Sequence, residues 1–108
     1  MYNYVNRPWR TQELVDSVYR SQYANSIDGL SGNEDCGQMS AWYILNSMGF
    51  YQVCPGKPVY SIGRPAFDKA VINLPEEKTF SIVVKNNGKK NKYIESVSLN
   101  GKALNIPF

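Results

Sequence analysis

The first half of the chain carries a helical pattern of apolar residues. Apolar side chains repeat at i, i+4 in two pairs, Leu14 with Val18 and Val15 with Tyr19. Together the pairs make one apolar stripe, which predicts a helix from about residue 12 to residue 22. Pro8 stands where a helix can begin, and Thr11 is a candidate N-cap with Glu13 in the following turn.

A loop and a second helix follow this stripe. Residues 24–37 are dense in Asn, Asp, Ser and Gly, which is typical of a loop. Apolar side chains then recur at helical spacing on two adjoining sides: Met39, Trp42 and Tyr43, with Ala41, Leu45 and Met48 beside them. Gly49 is a natural stop for this helix. Because apolar residues nearly encircle it, we expect the helix to be buried on most sides.

The second half of the chain predicts β-strands. Short or alternating apolar runs mark strands over residues 59–62, 67–74, 79–84, 93–99 and 102–106. The Asn-Gly pair at 100–101 indicates a two-residue hairpin, and we expect Gly88 to supply a positive φ in an earlier turn. Two helices followed by four or five antiparallel strands indicate the α+β class. We expect a helical segment at residues 1–54 and a sandwich-like strand segment at residues 55–108, packed as one compact unit.

Length and composition set limits on function. The chain has 108 residues, enough for one domain, and 43% of them are hydrophobic, which is ordinary for a soluble fold. We expect no membrane span, because the apolar runs are short, and no signal peptide is visible at the N-terminus. Two cysteines do not make a disulfide framework. The chain contains no histidine, which excludes catalytic histidine and histidine-bearing zinc sites within it.

The charge is divided unevenly along the chain. Residues 1–54 hold three arginines against five acids, a net charge of −2, and residues 55–108 hold nine basic residues against four acids, a net charge of +5. The basic cluster at residues 85–92 has no interleaved aromatic residues and contains the turn sequence Asn-Asn-Gly. A solvated hairpin tip explains this cluster better than a nucleic-acid surface, so we expect no nucleic-acid partner.

Candidate chemistry is concentrated in the loop before the second helix. Asp35 would lie near the helix N-terminus, whose positive end keeps a carboxylate ionised and able to act as a general base on water. Glu34 and Asp35 would repel each other if both were buried, so a cation or a hydrogen bond would hold one of them. Oxygen ligands of this kind suit calcium. The simpler alternative is that the Asp and Asn residues of this loop only cap the helix.

The same loop carries a family resemblance. The run Gly32-Asn-Glu-Asp-Cys-Gly-Gln-Met-Ser-Ala-Trp-Tyr43, continuing through Met48-Gly-Phe-Tyr51 and Pro55-Gly56, closely resembles glycoside hydrolase family 92, the calcium-dependent exo-acting α-mannosidases. Three further stretches are similar to the same family: Tyr2-Asn-Tyr4, Pro8-Trp-Arg-Thr-Gln12 and Tyr60-Ser-Ile-Gly63. The resemblance covers essentially all of the chain.

The resemblance implies a C-terminal fragment of an α-1,2-mannosidase: the end of an (α/α)₆ barrel and the strands after it. Family enzymes cleave terminal α-mannosides of glycans with inversion, which requires a general acid and a general base. The resemblance makes Asp35 the base, with Glu34 orienting it or holding a cation and Asn33 standing where some members have an acid. Trp9 either stacks on a sugar face or packs against the first helix. No position matches the general acid, so we expect the isolated chain to be inactive.

The resemblance also implies a cofactor, partners and a location. It implies calcium in the complete enzyme, mannose-containing glycans as ligands, and a periplasmic, surface or secreted location in bacteria for complete family members. Helix faces that belong to a larger barrel predict self-association or association with the remaining barrel portion. The alternative, from a different class, is a non-catalytic α+β carbohydrate-binding or interaction module.

Overall fold

The computed structural model describes residues 2–105, in which two helices precede three pairs of strands. A 3₁₀ turn at Tyr2–Val5 leads into helix α1 at Pro8–Ser21, and helix α2 occupies Gln38–Met48. The α+β class, with helices before antiparallel strands, is confirmed. None of the helices within residues 2–105 is long and apolar enough to cross a membrane.

Helix α1 begins earlier than its apolar stripe predicts. Pro8 occupies the first helical position, where its fixed φ suits a helix and its missing N–H leaves no bond unmade. The predicted N-cap at Thr11 is therefore wrong, because the residue preceding the helix is Arg7, whose side chain makes no capping bond. Thr11 lies inside the first turn, and its Oγ1 is buried without a hydrogen-bond partner.

Helix α2 stops at Gly49, as the sequence predicts. Gly49 has φ 93°, and a Cβ atom there would lie 2.5 Å from Pro65 Cγ, so glycine is required for both backbone and space. The expectation that the helix is buried on most sides is wrong within the described residues. Its buried residues are Asn46 and Ser47, and Ile44 is 54% exposed. The reason is that Tyr19 of α1 and Tyr23, just beyond the end of α1, cover one side of α2 and leave the side of Ile44 open.

The two helices meet through stacked aromatic rings, which we call the aromatic joint (Tyr19, Tyr23, Trp42 and Tyr43). Tyr19 stacks on Tyr43 with ring centroids 4.5 Å apart and planes 4° from parallel. Tyr23 stacks on Trp42 at 5.6 Å and also contacts Tyr43 at 4.9 Å. Stacked pairs of this kind contribute about 0.5–1.5 kcal/mol each beyond the burial of their area. The joint therefore fixes the end of α1 against the start of α2.

The strands form three separate antiparallel pairs rather than one sheet. Their bounds are Phe50–Tyr51 (β1), Ser61–Ile62 (β2), Lys69–Asn73 (β3), Thr79–Val83 (β4), Ser98–Leu99 (β5) and Lys102–Ala103 (β6). The pairs are β1 with β2, β3 with β4, and β5 with β6. Strand β1 is absent from the sequence prediction, and its pairing with β2 joins the two segments that were divided at residue 54.

Two turn predictions had different outcomes. The hairpin at Asn100 and Gly101 is confirmed, since both residues have positive φ (49° and 78°) between β5 and β6. The positive φ assigned to Gly88 is wrong, because it falls on Asn86 at 57°. Asparagine tolerates the left-handed region better than most residues, so the turn does not need its glycine for this purpose. The last predicted strand extends to Ile106, which lies outside the described residues.

Side-chain contacts across a polar seam explain why residues 93–97 are not a strand. We define this seam as Gln12, Glu13, Asp16, Arg64 and Tyr93. Gln12 is only 2% exposed, and its Oε1 accepts the backbone N–H of Ile94 at 3.1 Å, so this N–H is not available to a neighbouring strand. Tyr93 donates its hydroxyl to Glu13, and Arg64 reaches Asp16 at 3.4 Å. The seam holds the strand segment against helix α1.

The described residues contain no buried hydrophobic side chain. The accessible surface is 8565 Å², whereas a compact monomer of 12.2 kDa exposes about 6,100 Å². The excess is larger than the total area that a standard protein interface buries, about 1,600 Å². Large apolar side chains such as Ile44 and Phe67 contribute to it, at 54% and 53% exposed. These faces remain available to another polypeptide.

We predict that the 108-residue chain self-associates, because burial of apolar surface contributes about 25 cal/mol per Å². Sedimentation velocity over a concentration series should show dimers or larger species. Ile44→Glu, on the open side of α2, should shift the distribution toward monomer, whereas Ile27→Glu, a single fully exposed side chain on a loop, should not. A chain that remains monomeric at the highest concentration would contradict the prediction.

We also predict that acid weakens the polar seam. The hydrogen bond from Tyr93, followed by that from Arg10, lowers the pKa of Glu13, and the hydrogen bonds from Arg20 lower the pKa of Asp16. A lowered folded-state pKa stabilises the fold above the ordinary carboxyl pKa, about 4, and this contribution disappears as pH falls through the folded-state pKa. Urea unfolding should show Asp16→Asn less stable than wild type at neutral pH, with the difference shrinking in acid.

The control for this pH dependence is Asp68→Asn, an exposed aspartate outside the seam. The Asp16→Asn difference is compared with the Asp68→Asn difference measured at each pH. An Asp16→Asn difference that stays constant from neutral to acid pH would show that the seam carboxylates do not carry the effect.

Candidate active site

The candidate site is the turn at residues 33–37 that leads into helix α2, which we call the carboxylate turn. Asp35, Cys36 and Gly37 have consecutive positive φ values of 44°, 61° and 86°. The left-handed region costs a non-glycine residue on the order of 1 kcal/mol or more, so Asp35 and Cys36 are held in a strained shape. Cys36 and Cys54 are both free and exposed, so no disulfide supports the turn. Glu76 and Glu77 also have positive φ, 59° and 57°, so the strain describes the shape of this turn and does not by itself assign it a function.

Glu34 caps helix α2, a role that the sequence alternative gave to Asp and Asn residues. Its Oε1 accepts the backbone N–H of Ser40 at 3.1 Å, and its carbonyl accepts the N–H of Gln38 at 3.0 Å. Its other oxygen, Oε2, is buried and has no hydrogen-bond partner. One carboxylate oxygen therefore completes the helix, while the second is left without a hydrogen-bond partner among the described residues.

Asp35 stands apart from these bonds. Its side chain is exposed and makes no hydrogen bond or ion pair with the residues that the structure describes. Its carbonyl accepts the N–H of Gln38 at 3.3 Å, which anchors the backbone and leaves the carboxylate unengaged. A free carboxylate at the positive end of a helix is suited to bind water and accept its proton.

Asn33 and Trp9 are the other two predicted site residues, and the structure places them differently with respect to the turn. Asn33 is exposed and directly precedes Glu34, so the structure keeps Asn33, Glu34 and Asp35 together in one turn. Trp9 lies in the first turn of α1 and is 45% exposed. Within residues 2–105 it joins none of the stacked aromatic pairs and has no hydrogen bond to the turn. No stacked pair or hydrogen bond within the described residues therefore joins Trp9 to the turn.

Tyr23 is the site residue that sequence reasoning missed. Its hydroxyl donates to the carbonyl of Met39, in the first turn of α2, at 3.2 Å. Burial, followed by the nearby charge of Glu34, raises the pKa of Tyr23, so its phenol stays protonated and remains a donor. The signal was present in the sequence, because Tyr23 continues the i, i+4 series of Val15 and Tyr19.

The residues of the turn do not form a calcium site by themselves. Calcium takes six to eight oxygen ligands. Within the described part of the chain, no group of three or more acidic, cysteine or histidine side chains is placed to hold a metal ion. Glu34 Oε2 is the kind of oxygen that would serve as one ligand, but the remaining ligands are not supplied by these residues.

A polar depression lies on the surface away from the carboxylate turn. It has a volume of about 320 Å³ and is lined by the charged residues Arg10, Glu13, Asp16, Arg64 and Lys92 together with Gln12. Most of these groups already bond one another in the polar seam or along α1. Its charges are used in holding the fold together, so the carboxylate turn is the better candidate for chemistry.

Comparison with known proteins identifies the family. The glycosyl hydrolase family 92 catalytic domain matches residues 1–108, the full length of the chain. The chain belongs to glycosyl hydrolase family 92. The predicted family is therefore confirmed, and the carboxylate turn lies within the family 92 match.

Solved structures of family 92 proteins share this fold. An α-mannosidase of the family from Bacteroides thetaiotaomicron, in complex with mannoimidazole, is 39% identical and superposes with a TM-score of 0.87. A family 92 inverting mannosidase from the same organism is 43% identical, with a TM-score of 0.83. Each covers 95% of this chain. A curated relative, described as an uncharacterized secreted glycosidase of Arthroderma benhamiae, is 31% identical over 105 residues and covers 94% of the chain.

This family 92 chain is much shorter than those relatives. It spans 14% of the length of each of the two mannosidases and of the fungal glycosidase. The large exposed surface described above fits a chain that matches only a small part of a longer polypeptide.

We predict that Glu34 stabilises the start of α2 through its cap. Glu34→Ala should lower the free energy of unfolding by about 1 kcal/mol, the usual cost of losing a helix cap. Glu34→Gln keeps an acceptor oxygen and should cost clearly less. Asp35→Asn should be close to neutral, because asparagine tolerates a left-handed backbone well.

Urea unfolding followed by circular dichroism measures these differences. The control is Asp28→Ala, an exposed loop carboxylate that makes no side-chain hydrogen bond with the described residues. Equal losses for Glu34→Ala and Glu34→Gln would contradict a capping role for the Oε1 oxygen.

Proposed function

We propose that this chain contributes the general-base side of an inverting α-mannosidase site that acts on terminal α-mannosides of glycans, as in an α-1,2-mannosidase. Membership of family 92 supports a glycosidase. The similarity to solved proteins described as an α-mannosidase and an inverting mannosidase, at 39% and 43% identity, supports mannose as the sugar.

The observation that carries the proposal is the unengaged carboxylate of Asp35. An inverting glycosidase places a water between a carboxylate base and the anomeric carbon, and the base takes a proton as the water attacks. Asp35 is exposed at the start of α2 and has no side-chain partner within residues 2–105, so its oxygens are available to such a water. The helix cap is formed by its neighbour Glu34, so the Asp35 side chain takes no part in that cap.

The neighbouring residues have supporting roles in this proposal. Glu34 orients Asp35 by tying the turn to the helix through its Oε1, and its buried Oε2, which has no partner among the described residues, is the oxygen that would turn toward a cation in the complete enzyme. Asn33 offers an exposed amide to sugar hydroxyls, and Trp9 offers an exposed ring face to a sugar. Calcium remains a proposal for the complete enzyme only.

The general acid is proposed to come from outside this chain. Inversion needs an acid roughly 6.5–9.5 Å from the base to protonate the leaving oxygen. No residue of the chain resembles that acid, so the isolated chain should be inactive until it packs against the remaining barrel portion. We also propose that the protein acts outside the cytoplasm, since the fungal relative is described as secreted.

Asp35→Asn tests the proposed base directly. A suitable host is the Bacteroides α-mannosidase with its matching segment replaced by this chain; we call this protein the chimeric enzyme. With an α-mannoside substrate, Asp35→Asn should lower kcat about 10²–10⁴-fold, because asparagine cannot accept the proton, while KM changes little. Glu34→Gln should lower kcat less. Steady-state kinetics give both constants.

Two controls frame this experiment. Asp28→Asn in the chimeric enzyme should leave kcat unchanged, and the isolated 108-residue chain should show no turnover. Near-wild-type kcat for Asp35→Asn in an active chimeric enzyme would remove the base assignment. The surviving reading would be a non-catalytic α+β module, for which mannoside binding without turnover is the expected behaviour.

A further inference from the structure

We infer that Tyr23 is the positioning residue for Asp35: its hydroxyl, bonded to the first turn of α2, holds the turn at residues 33–37 in its active shape. This inference rests on the proposed function of Asp35. It adds a residue outside the motif that carries the family resemblance, on the far side of a loop from the carboxylates.

The turn needs a constraint from outside itself. Asp35 and Cys36 both occupy the left-handed region, which a free loop would leave for a more relaxed backbone. Such strain persists only where the surroundings over-determine it. A relaxed turn would move the Asp35 carboxylate, and a displacement near 1 Å is enough to cost about 100-fold in rate.

The bonds within the turn are local. They join the carbonyls of Glu34 and Asp35 to the N–H of Gln38, and the Glu34 side chain to Ser40. These bonds tie the turn to α2 but do not place α2 relative to the rest of the chain. Within residues 2–105, the hydrogen bond that reaches this assembly from another element is the one from Tyr23 to Met39.

Tyr23 is itself held on three sides. Its ring lies 6° from parallel with Trp42 at 5.6 Å, and it contacts Tyr43 at 4.9 Å. Its backbone pairs with Leu30 across the loop at residues 24–29. Gly29 closes that loop: a Cβ there would lie 1.9 Å from the carbonyl oxygen of Ala24, so only glycine fits. The donor therefore has one position from which to bond Met39.

Tyr19 offers a matched comparison within the aromatic joint. It stacks on Tyr43 as Tyr23 stacks on Trp42, and burial raises the pKa of Tyr19 to about 12, so both phenols stay protonated. Unlike Tyr23, Tyr19 has no hydrogen bond to the backbone of α2 within the described residues. Tyr43 of α2 is the second contribution to that raised pKa, so removing the Tyr19 hydroxyl alters its contact with Tyr43 but leaves the bond from Tyr23 to Met39 in place.

The test compares Tyr23→Phe, Tyr23→Leu and Tyr19→Phe in the chimeric enzyme. Tyr23→Phe keeps the ring and loses the donor, and should lower kcat about five- to tenfold, the equivalent of one hydrogen bond, with KM unchanged. Tyr23→Leu also loses the stack and should lower kcat about 100-fold. Tyr19→Phe should match wild type. Hydrogen exchange measured by mass spectrometry should rise across residues 34–40 in Tyr23→Phe.

The outcomes separate this inference from the proposed function. If Asp35→Asn is inactive and Tyr23→Phe retains wild-type kcat, the positioning role is wrong while the base assignment stands. If Tyr23→Phe and Tyr19→Phe lose kcat equally, together with thermal stability, Tyr23 acts only in packing and the inference also fails. An active Asp35→Asn enzyme refutes the proposed function itself.

Discussion

Stacking of aromatic rings between helices α1 and α2 is the interaction on which the described structure depends. The described residues contain no buried aliphatic core, so the relative position of the two helices rests on Tyr19 with Tyr43 and Tyr23 with Trp42. Flat rings at close distance define orientation as well as separation. The carboxylate turn directly precedes α2, so the aromatic joint that places α2 also determines the position of the turn.

The second half of the chain is attached by polar contacts instead. Arg64 and Tyr93 come from the basic half of the chain and bond Asp16 and Glu13 of the acidic half. The opposite net charges of the two halves, visible in the sequence, thus meet in one ion pair of the described residues, Arg64 with Asp16. A partly exposed ion pair contributes little to stability, on the order of 1 kcal/mol or less. The polar seam therefore attaches the second half of the chain only weakly.

The site divides two tasks between adjacent carboxylates. Glu34 is committed to the helix through Oε1, whereas Asp35 makes no side-chain bond with the described residues. Adjacent acids repel least when one is engaged by hydrogen-bond donors and the other faces solvent. This division leaves the Asp35 carboxylate unengaged and attaches the strained turn to α2, to which the Tyr23 hydroxyl adds a bond from outside the helix.

Local sequence was sufficient for the features that depend on neighbours along the chain. The apolar repeats predicted both helices, Gly49 predicted the end of α2, and Asn100 with Gly101 predicted a hairpin, because periodicity and backbone preference act over a few residues. The motif around Asp35 was long enough to identify family 92 before any fold was known.

Tertiary structure alone decided the features that depend on contacts between distant residues. Residues 93–97 alternate like a strand. The backbone N–H of Ile94 nevertheless donates to the side chain of Gln12, which is 82 positions away in the sequence. The cap on α2 comes from Glu34, and its bond to Ser40 exists only because the left-handed turn reverses the chain. Tyr23 reaches Met39 from another element. A sequence pattern records which side chains can pack, whereas folding determines which distant groups meet, because burial and hydrogen bonding are satisfied across the whole chain at once.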